Sequence, residues 1–395
     1  MAKLGIKKLF TGISINTVFL AFSSLFADIS SEMLYPILPI FLTETLKAGG
    51  SIVGIVEGIA EATQNIIQGF SGWLSDKIQK RKPIALLGYA LAALSKPLMG
   101  LASNWQGVLG SRFLDRFGTG TRSAPRDALI ASSVSEKDRG KAFGFEGIGD
   151  NLGAFIGPLA AIALLFFLKT DIRFIFYLAI VPGLLAFIMI LFVKEKPIKV
   201  SSKAKLDIHI GNFPKPYWRY LSIITLFGIG NSSNSFLILQ TKDLGVSLGM
   251  TIFIYALFNL VAALISYPSG FLADKFGRKE ILLSSFFIFF ITYLGFALTK
   301  NIYLIAILFI LYGLYQGIFR SVGKTFATDF VPQQLRASGV GWYMTTVGLS
   351  GLFASVVAGQ LWDKIGHSAV FLYGAVFALG GIIALLFFTP PGSKI

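Results

Sequence analysis

The chain contains no cysteine, only two histidines and few charged residues, which make up 14% of its 395 positions. Without cysteine it can form no disulfide, thiolate metal site or catalytic thiol. His209 and His367 fall in predicted loops, so no histidine proton relay, haem site or other metal site is expected. Soluble proteins are about 25% charged. The deficit excludes disorder, a fibrous chain and almost every class of soluble enzyme.

Hydrophobic residues, by contrast, make up 54% of the chain, and it contains 38 Phe and 42 Gly. A membrane-spanning helix needs roughly 20 apolar residues. Apolar runs separated by charges, Gly and Pro predict an all-α membrane protein with twelve spans, at 17–44, 51–75, 83–101, 106–131, 141–168, 173–193, 219–241, 248–273, 280–299, 302–329, 338–362 and 369–389. These spans leave no room for a soluble domain of ordinary size.

The formal net charge of +15 is concentrated in the loops that would share one side of the membrane. Basic loops face the cytoplasm, so both termini are expected to be cytoplasmic, in the inner membrane. The charge therefore indicates membrane topology rather than binding to nucleic acid. The polar, lysine-rich segment 194–218 is expected to be a cytoplasmic linker between two bundles, 1–193 and 219–395.

The two halves contain an internal repeat. The sequence GWLSDK at Gly72–Lys77 returns as GFLADK at Gly270–Lys275, and Arg122 and Arg126 correspond to Arg320 and Lys324 at the same offset. This offset indicates duplication of a six-helix unit. Repeats related about the membrane normal are a device of secondary transporters.

The repeated loop resembles the signature of the major facilitator superfamily. The second copy fits it fully, with Gly270, Leu272, Asp274, Lys275, Gly277, Arg278 and Lys279, whereas Gln79 replaces a glycine in the first. The resemblance implies a monomeric prokaryotic transporter of two pseudo-symmetric six-helix bundles. It also implies a conformational latch between the bundles, formed by Gly72, Asp76, Arg81, Gly270, Asp274 and Arg278.

The fifth span resembles the antiporter motif of drug/proton exchangers in that superfamily, through Gly149, Gly153, Gly157 and Pro158. The match is partial, because Ala161 and Ile162 stand where two further glycines would follow. Three glycines at four-residue spacing favour close helix packing over substrate contact.

Ionisable residues recur inside the first-half spans, where one charge costs about 2.5–3.5 kcal/mol at the centre of a lipid-facing helix. They must therefore face one another or water. The candidates for proton coupling and a central cavity are Asp28, Glu32, Glu57, Glu61, Arg112, Asp115, Arg116, Glu146 and Asp150. Asp28, Glu61, Arg116 and Asp150 should share one depth. Buried salt bridges that only join helices are the alternative.

Three finer expectations follow from these positions. Asp28 and Glu32, one turn apart, are expected to bind and release a proton, whereas Lys96 in the third span is expected to extend outward to the headgroups. The second half has no central acid, so it is expected to shape a substrate cavity, with Asn231, Asn234, Asn259, Gln316, Arg320, Trp342 and Tyr343 as candidates.

Together these features predict a secondary transporter that moves a small molecule by alternating access, with a proton or another cation as coupling ion. Proton-coupled export is the leading interpretation. A proton-coupled importer of a small organic ion, metal chelate or siderophore is the alternative. No cofactor is expected, and the sequence has no P-loop for ATP. It also lacks the motifs of a membrane enzyme, and its duplicated halves argue against a channel.

Overall fold

The computed structural model describes residues 13–78, 80–135, 138–167, 169, 171–195, 210–332 and 335–388. Within these ranges the chain is helical, without strands, and forms twelve spans. They are α1 (Ile15–Glu32, continued by Leu38–Ile40 and a π-helical turn Phe41–Thr45), α2 (Gly50–Ile78), α3 (Arg81–Leu101), α4 (Trp105–Ser133), α5 (Arg139–Phe167), α6 (Ile172–Leu178 and Ile180–Phe192), α7 (Lys215–Gly228 and Ser235–Asp243), α8 (Leu248–Phe276), α9 (Arg278–Leu298), α10 (Ile302–Asp329), α11 (Arg336–Lys364) and α12 (His367–Phe388).

Polar residues in the short loops determine where several helices begin. The side chains of Asn104, Ser247 and Asn301 accept hydrogen bonds from backbone N–H groups in the first turns of α4, α8 and α10. These groups have no partner within the helix, so such caps define the helix start.

Most of the predicted linker, residues 196–209, lies outside the described residues.

Two spans are interrupted near the middle of the bundle. α1 breaks after Glu32, close to Pro36, and α7 breaks between Gly228 and Ser235. Partners elsewhere in the protein take up the freed backbone groups of α7, since Ser355 Oγ accepts from the N–H of Ser233 at 3.1 Å. Irregular backbone at membrane depth is tolerated where protein or a water-filled cavity surrounds it.

Eight helices of the described chain are long and apolar enough to cross a membrane. The spans that fall short are α1, α2, α4 and α7. α2 and α4 contain buried charged side chains, α1 contains the half-buried Asp28 and Glu32, and α7 is broken. The polar centre of the molecule is therefore built from its least apolar helices.

Equivalent helices pack in the same way in the two halves. The pairs α1–α5, α2–α4, α3–α4 and α3–α6 of the first half correspond to α7–α11, α8–α10, α9–α10 and α9–α12 of the second. The halves meet mainly through α2 against α11 and α5 against α8, which are equivalent pairs under the same repeat. This arrangement confirms the predicted two-bundle fold.

Glycines permit the closest helix contacts. A Cβ at Gly153 of α5 would lie 2.5 Å from the carbonyl oxygen of Leu25 and 2.8 Å from Cβ of Asp28. A Cβ at Gly54 of α2 would lie 2.1 Å from the carbonyl oxygen of Ser355 on α11. Backbone occupies these spaces, so a side chain at either position requires the helices to separate.

We therefore predict that Gly153→Ala lowers the thermal unfolding temperature of the purified protein, because overpacking costs about 1–3 kcal/mol. Gly147→Ala, one and a half turns earlier on α5, is the matched control, since nothing lies within 4 Å of its added Cβ. The control should be neutral or slightly stabilised, because alanine favours helix by about 1 kcal/mol over glycine. Equal unfolding temperatures for the two variants would contradict the packing argument.

Candidate functional site

The end of the bundle where α2 and α8 finish is here named the basic face, because Lys77, Lys82, Lys275 and Lys279 lie there. The other end is the opposite face. The charged residues of the first half form two groups, one nearer each face.

The group nearer the opposite face is the Arg112 network, which consists of Glu57, Lys96, Arg112 and Asp115. Arg112 binds Glu57 through two hydrogen bonds of 3.0 Å and Asp115 through a third of 3.0 Å. Lys96 Nζ lies 2.6 Å from Asp115 Oδ1 and 3.1 Å from Ser31 Oγ. All four charged side chains are buried.

The expectation that Lys96 extends outward was wrong. Lys96 is 1% exposed and points into the first half, where it neutralises a carboxylate on α4. Two cations thereby balance two carboxylates. Breaking such a buried pair by removing one partner typically costs about 3–5 kcal/mol.

The group nearer the basic face is the Arg126 network, which consists of Ser24, Arg126, Asp127, Glu146 and Asp150. Arg126 Nη1 lies 2.9 Å from Glu146 and 3.8 Å from Asp150, and it donates to Ser24 Oγ. Ser24 in turn donates to Glu146 at 2.6 Å. The side chain of Asp150 is 46% exposed, so this group is in contact with solvent.

Asp28 and Glu32 share one face of α1 but have different partners. Asp28 lies 3.7 Å from Nη2 of Arg122, whose guanidinium also stacks over Tyr89. Glu32 Oε2 instead accepts hydrogen bonds from Tyr255 Oη at 3.0 Å and Asn259 Nδ2 at 3.1 Å, both on α8. Glu32 is therefore a carboxylate of the first half whose described hydrogen bonds come from the second.

A small cavity of about 40 Å³ lies between the halves. It is lined by residues of α2, α7, α10 and α11, namely Glu61, Asn65, Ile224, Gly228, Asn231, Phe319, Val347, Ser350 and Gly351. One water needs about 10–15 Å³ of such space. In this conformation the cavity therefore has room for a few water molecules.

Four of the other residues predicted for a cavity lie near this centre, although they do not line the cavity itself. Asn259 contacts Glu32, and Asn234 accepts a hydrogen bond from Tyr312 at 2.8 Å. Gln316 lies 2.6 Å from Nη2 of Arg320. Arg116 of α4 binds Gln64 at 2.9 Å, and both Arg116 and Arg320 are close enough to act electrostatically on Glu32 and Glu61.

Trp342 and Tyr343 are not brought to the cavity, contrary to expectation. Trp342 packs against Trp218 with ring centres 5.8 Å apart, and Tyr343 stacks on Tyr220 and is 3% exposed. Both lie in the first turns of α11 near the basic face. They belong to the apolar core between α7, α10 and α11.

The predicted latch residues make their described contacts within their own halves. Arg278 pairs with Asp274 and Asp329, both in the second half, and Arg81 donates to the carbonyl oxygen of Ala128 in the first. Gly72 faces Ala124 of α4, whereas nothing lies within 4 Å of a Cβ at Gly270. The side chain of Asp76 lies outside the described residues. A latch that joins the two halves therefore stays a prediction, and it would form in a conformation other than this one.

At the opposite face the halves are joined by a contact that the sequence analysis missed. The carboxylate of Asp363, at the end of α11, accepts hydrogen bonds from the N–H groups of Gly50 and Ser51, both at 2.8 Å, and from Ser51 Oγ at 2.5 Å. It thus caps the N-terminus of α2 across the interface. Lys242 and Glu44 add an ion pair of 3.4 Å between the halves.

The inter-half hydrogen bonds and ion pairs described above lie at mid-depth or towards the opposite face. On the basic side Asp150, Arg320 and Lys324 are solvent-exposed. The described polar contacts between the halves thus close the opposite face, whereas exposed charges beside the polar centre indicate access of water from the basic side.

A duplicated helical bundle with ionisable groups at membrane depth and a polar cavity between its halves defines a multi-pass membrane transport protein. The sequence matches the Major Facilitator Superfamily over residues 20–239 and 220–395, and the chain belongs to this family of transporters.

Individual proteins agree with this family. The chain is 37% identical, over 95% of both chains, to an uncharacterized MFS-type transporter of Methanocaldococcus jannaschii. It is 27% identical, over 89% of both chains, to the multidrug resistance protein MdtG of Escherichia fergusonii. The crystal structure of the nucleoside transporter NupG superposes with a TM-score of 0.76 at 14% identity, covering 94% of this chain and 98% of that one. At this identity the last similarity shows the fold alone.

We predict that Asp363→Asn opens the opposite face, because hydrogen bonds to a charged group contribute about 1.5–3 kcal/mol and this change removes the charge. The chain has no cysteine, so Asn231→Cys places a single thiol beside the cavity. Membrane-impermeant maleimide should label it mainly from the basic face. Adding Asp363→Asn should accelerate labelling from the opposite face about tenfold or more.

The matched control is Asp171→Asn. Asp171 also caps a helix at the opposite face, accepting from the N–H of Arg173 at 2.8 Å, but it does so within the first half. The control should leave labelling unchanged. If both variants label alike, Asp363 does not hold the halves together.

Proposed function

We propose that this transporter exports a small molecule across the cytoplasmic membrane in exchange for protons, by alternating access. The observation that carries the proposal is the Glu32 carboxylate, which bridges the two halves through Tyr255 and Asn259. A group in this position can link proton binding to movement of the halves.

The link follows from hydrogen-bond chemistry. An ionised carboxylate accepts from both α8 donors, and such charge-assisted bonds are roughly twice as strong as neutral ones. When Glu32 binds a proton it loses its charge and one oxygen becomes a donor. The α1–α8 contact weakens, and separation of the halves at this depth becomes less costly.

Several charged or polar groups face Glu32 and belong to the same coupled system. They are Asp28 on α1, Arg116 on α4, Tyr255 and Asn259 on α8 and Arg320 on α10, and the two arginines also act on Glu61 of α2. Asp28, near Arg122, and the solvent-exposed Asp150, near Arg126, are placed to exchange protons between Glu32 and the basic face. In contrast, the Arg112 network has paired charges, which suits it to positioning α2, α3 and α4.

Orientation and direction rest on separate arguments. The positive-inside rule places the basic face, and with it both termini, in the cytoplasm. The polar centre would then be open to the cytoplasm. Export is supported by similarity to a protein named for multidrug resistance and by the glycine motif of α5, which packs against α1 beside Asp28 and Glu32.

We predict that Glu32→Gln reduces pH-driven transport at least tenfold, because glutamine cannot exchange a proton. Everted vesicles with an acidic interior, screened with fluorescent cationic and neutral dyes, should accumulate a substrate through the native protein and lose it when the pH gradient is collapsed. Asp171→Asn is the matched control, since Asp171 is an acid at the opposite face whose described partner, the N–H of Arg173, lies in the same half. Full gradient-driven uptake by Glu32→Gln would contradict this role.

A further inference from the structure

The polar side chains that line the cavity between the halves indicate which kind of ligand it can bind. Its polar lining consists of Glu61 and Asn65 from α2, Asn231 from the break in α7 and Ser350 from α11. Both halves therefore contribute polar groups to one small space. The hydrogen-bonding capacity of these groups indicates the kind of ligand that the space can take.

Hydrogen-bond acceptors are in excess in this lining. The Glu61 carboxylate receives no hydrogen bond from any residue in the described ranges. Ser350 directs its hydroxyl proton to the carbonyl oxygen of Thr346 at 2.7 Å, and Asn65 donates to the carbonyl oxygen of Glu61 at 2.9 Å. The oxygen atoms of both side chains remain able to accept.

Nearby cations do not neutralise Glu61 by direct contact. Arg112 is bound to Glu57 and Asp115, Arg116 donates to Gln64, and Arg320 lies against Gln316. Among the described residues, no basic group lies within 4 Å of the Glu61 carboxylate. Glu61 is half-buried, and a carboxylate withdrawn from bulk water without donors is costly, so a ligand that supplies both positive charge and N–H groups gains the most.

We propose that this cavity recognises a protonated primary or secondary amine. Its ammonium group would lie against Glu61 and donate to the oxygen atoms of Asn65, Asn231 or Ser350. The apolar part of the ligand would pack against Ile224, Phe319 and Val347, which line the same cavity. A quaternary ammonium carries the charge but no N–H donor, so it fits poorly. The proposal rests on the proposed transport function, because the cavity must widen as the halves move to admit a whole ligand.

The test uses four naphthalene probes with different polar groups: 1-naphthylmethylamine, its N,N,N-trimethyl derivative, 1-naphthylmethanol and 1-naphthylacetate. Each is titrated into the purified full-length protein, and binding is read from the shift in thermal unfolding temperature. The amine should bind at least tenfold more tightly than the other three. Glu61→Gln should weaken amine binding at least tenfold and leave binding of the alcohol unchanged.

Two further variants keep the test decisive. Asn231→Leu removes a polar group from the α7 side and should weaken amine binding, which covers the case in which Glu61→Gln does not fold. Asp171→Asn, which changes an acid outside the cavity and within the first half, should have no effect.

Four outcomes would overturn the proposal. The first three are equal binding of the trimethyl derivative, preference for the carboxylate, and amine binding that survives both cavity substitutions. Absence of amine binding to the native protein would also overturn it, leaving Glu61 as a proton site only. Binding at equilibrium needs no gradient. If the amine does not bind, the pH-driven transport test of Glu32 is unaffected. If the transport test fails, the result of the amine-binding experiment can still be interpreted.

Discussion

An unpaired charge is costly in the low-dielectric centre of a membrane protein, and the rest of this structure depends on that constraint. The Arg112 network meets it with two acids and two bases on α2, α3 and α4, all buried. Because each charge has a partner on another helix, the network determines how these three helices are rotated and spaced. Attraction in a low dielectric offsets the desolvation of the charges only when geometry is this favourable.

In contrast to the charges of the Arg112 network, two acidic groups at the boundary between the halves are incompletely paired. Glu32 takes its hydrogen bonds from the other half, and the Glu61 carboxylate lines the cavity and receives no described hydrogen bond. Elsewhere the described interface contacts include glycine-mediated packing, the cap by Asp363 and the Lys242–Glu44 ion pair at the opposite face. The first half is thus stabilised by its charges, whereas the interface is built to exchange partners.

The sequence predicted more of the fold than of the site. Spans, the repeat and the buried position of the charges follow from composition and periodicity, because a bilayer admits few alternatives. The direction of individual side chains does not follow. Lys96 could reach headgroups or Asp115 from the same backbone position, and only the rotation of α3 against α4 decides between them. Trp342 and Tyr343 were misplaced for the same reason, since helical spacing alone does not tell a core face from a cavity face.

By itself, then, the sequence determined that this chain is a duplicated twelve-span membrane transport protein with ionisable groups at membrane depth. Tertiary structure decided which acids are neutralised, which bridge the halves, and that Asp363 caps a helix whose first residue lies 313 positions earlier in the chain. The physical reason is the separation along the chain over which each interaction acts. Hydrophobicity and helix periodicity act over neighbouring residues, whereas ion pairing requires groups from distant spans to meet within about 4 Å.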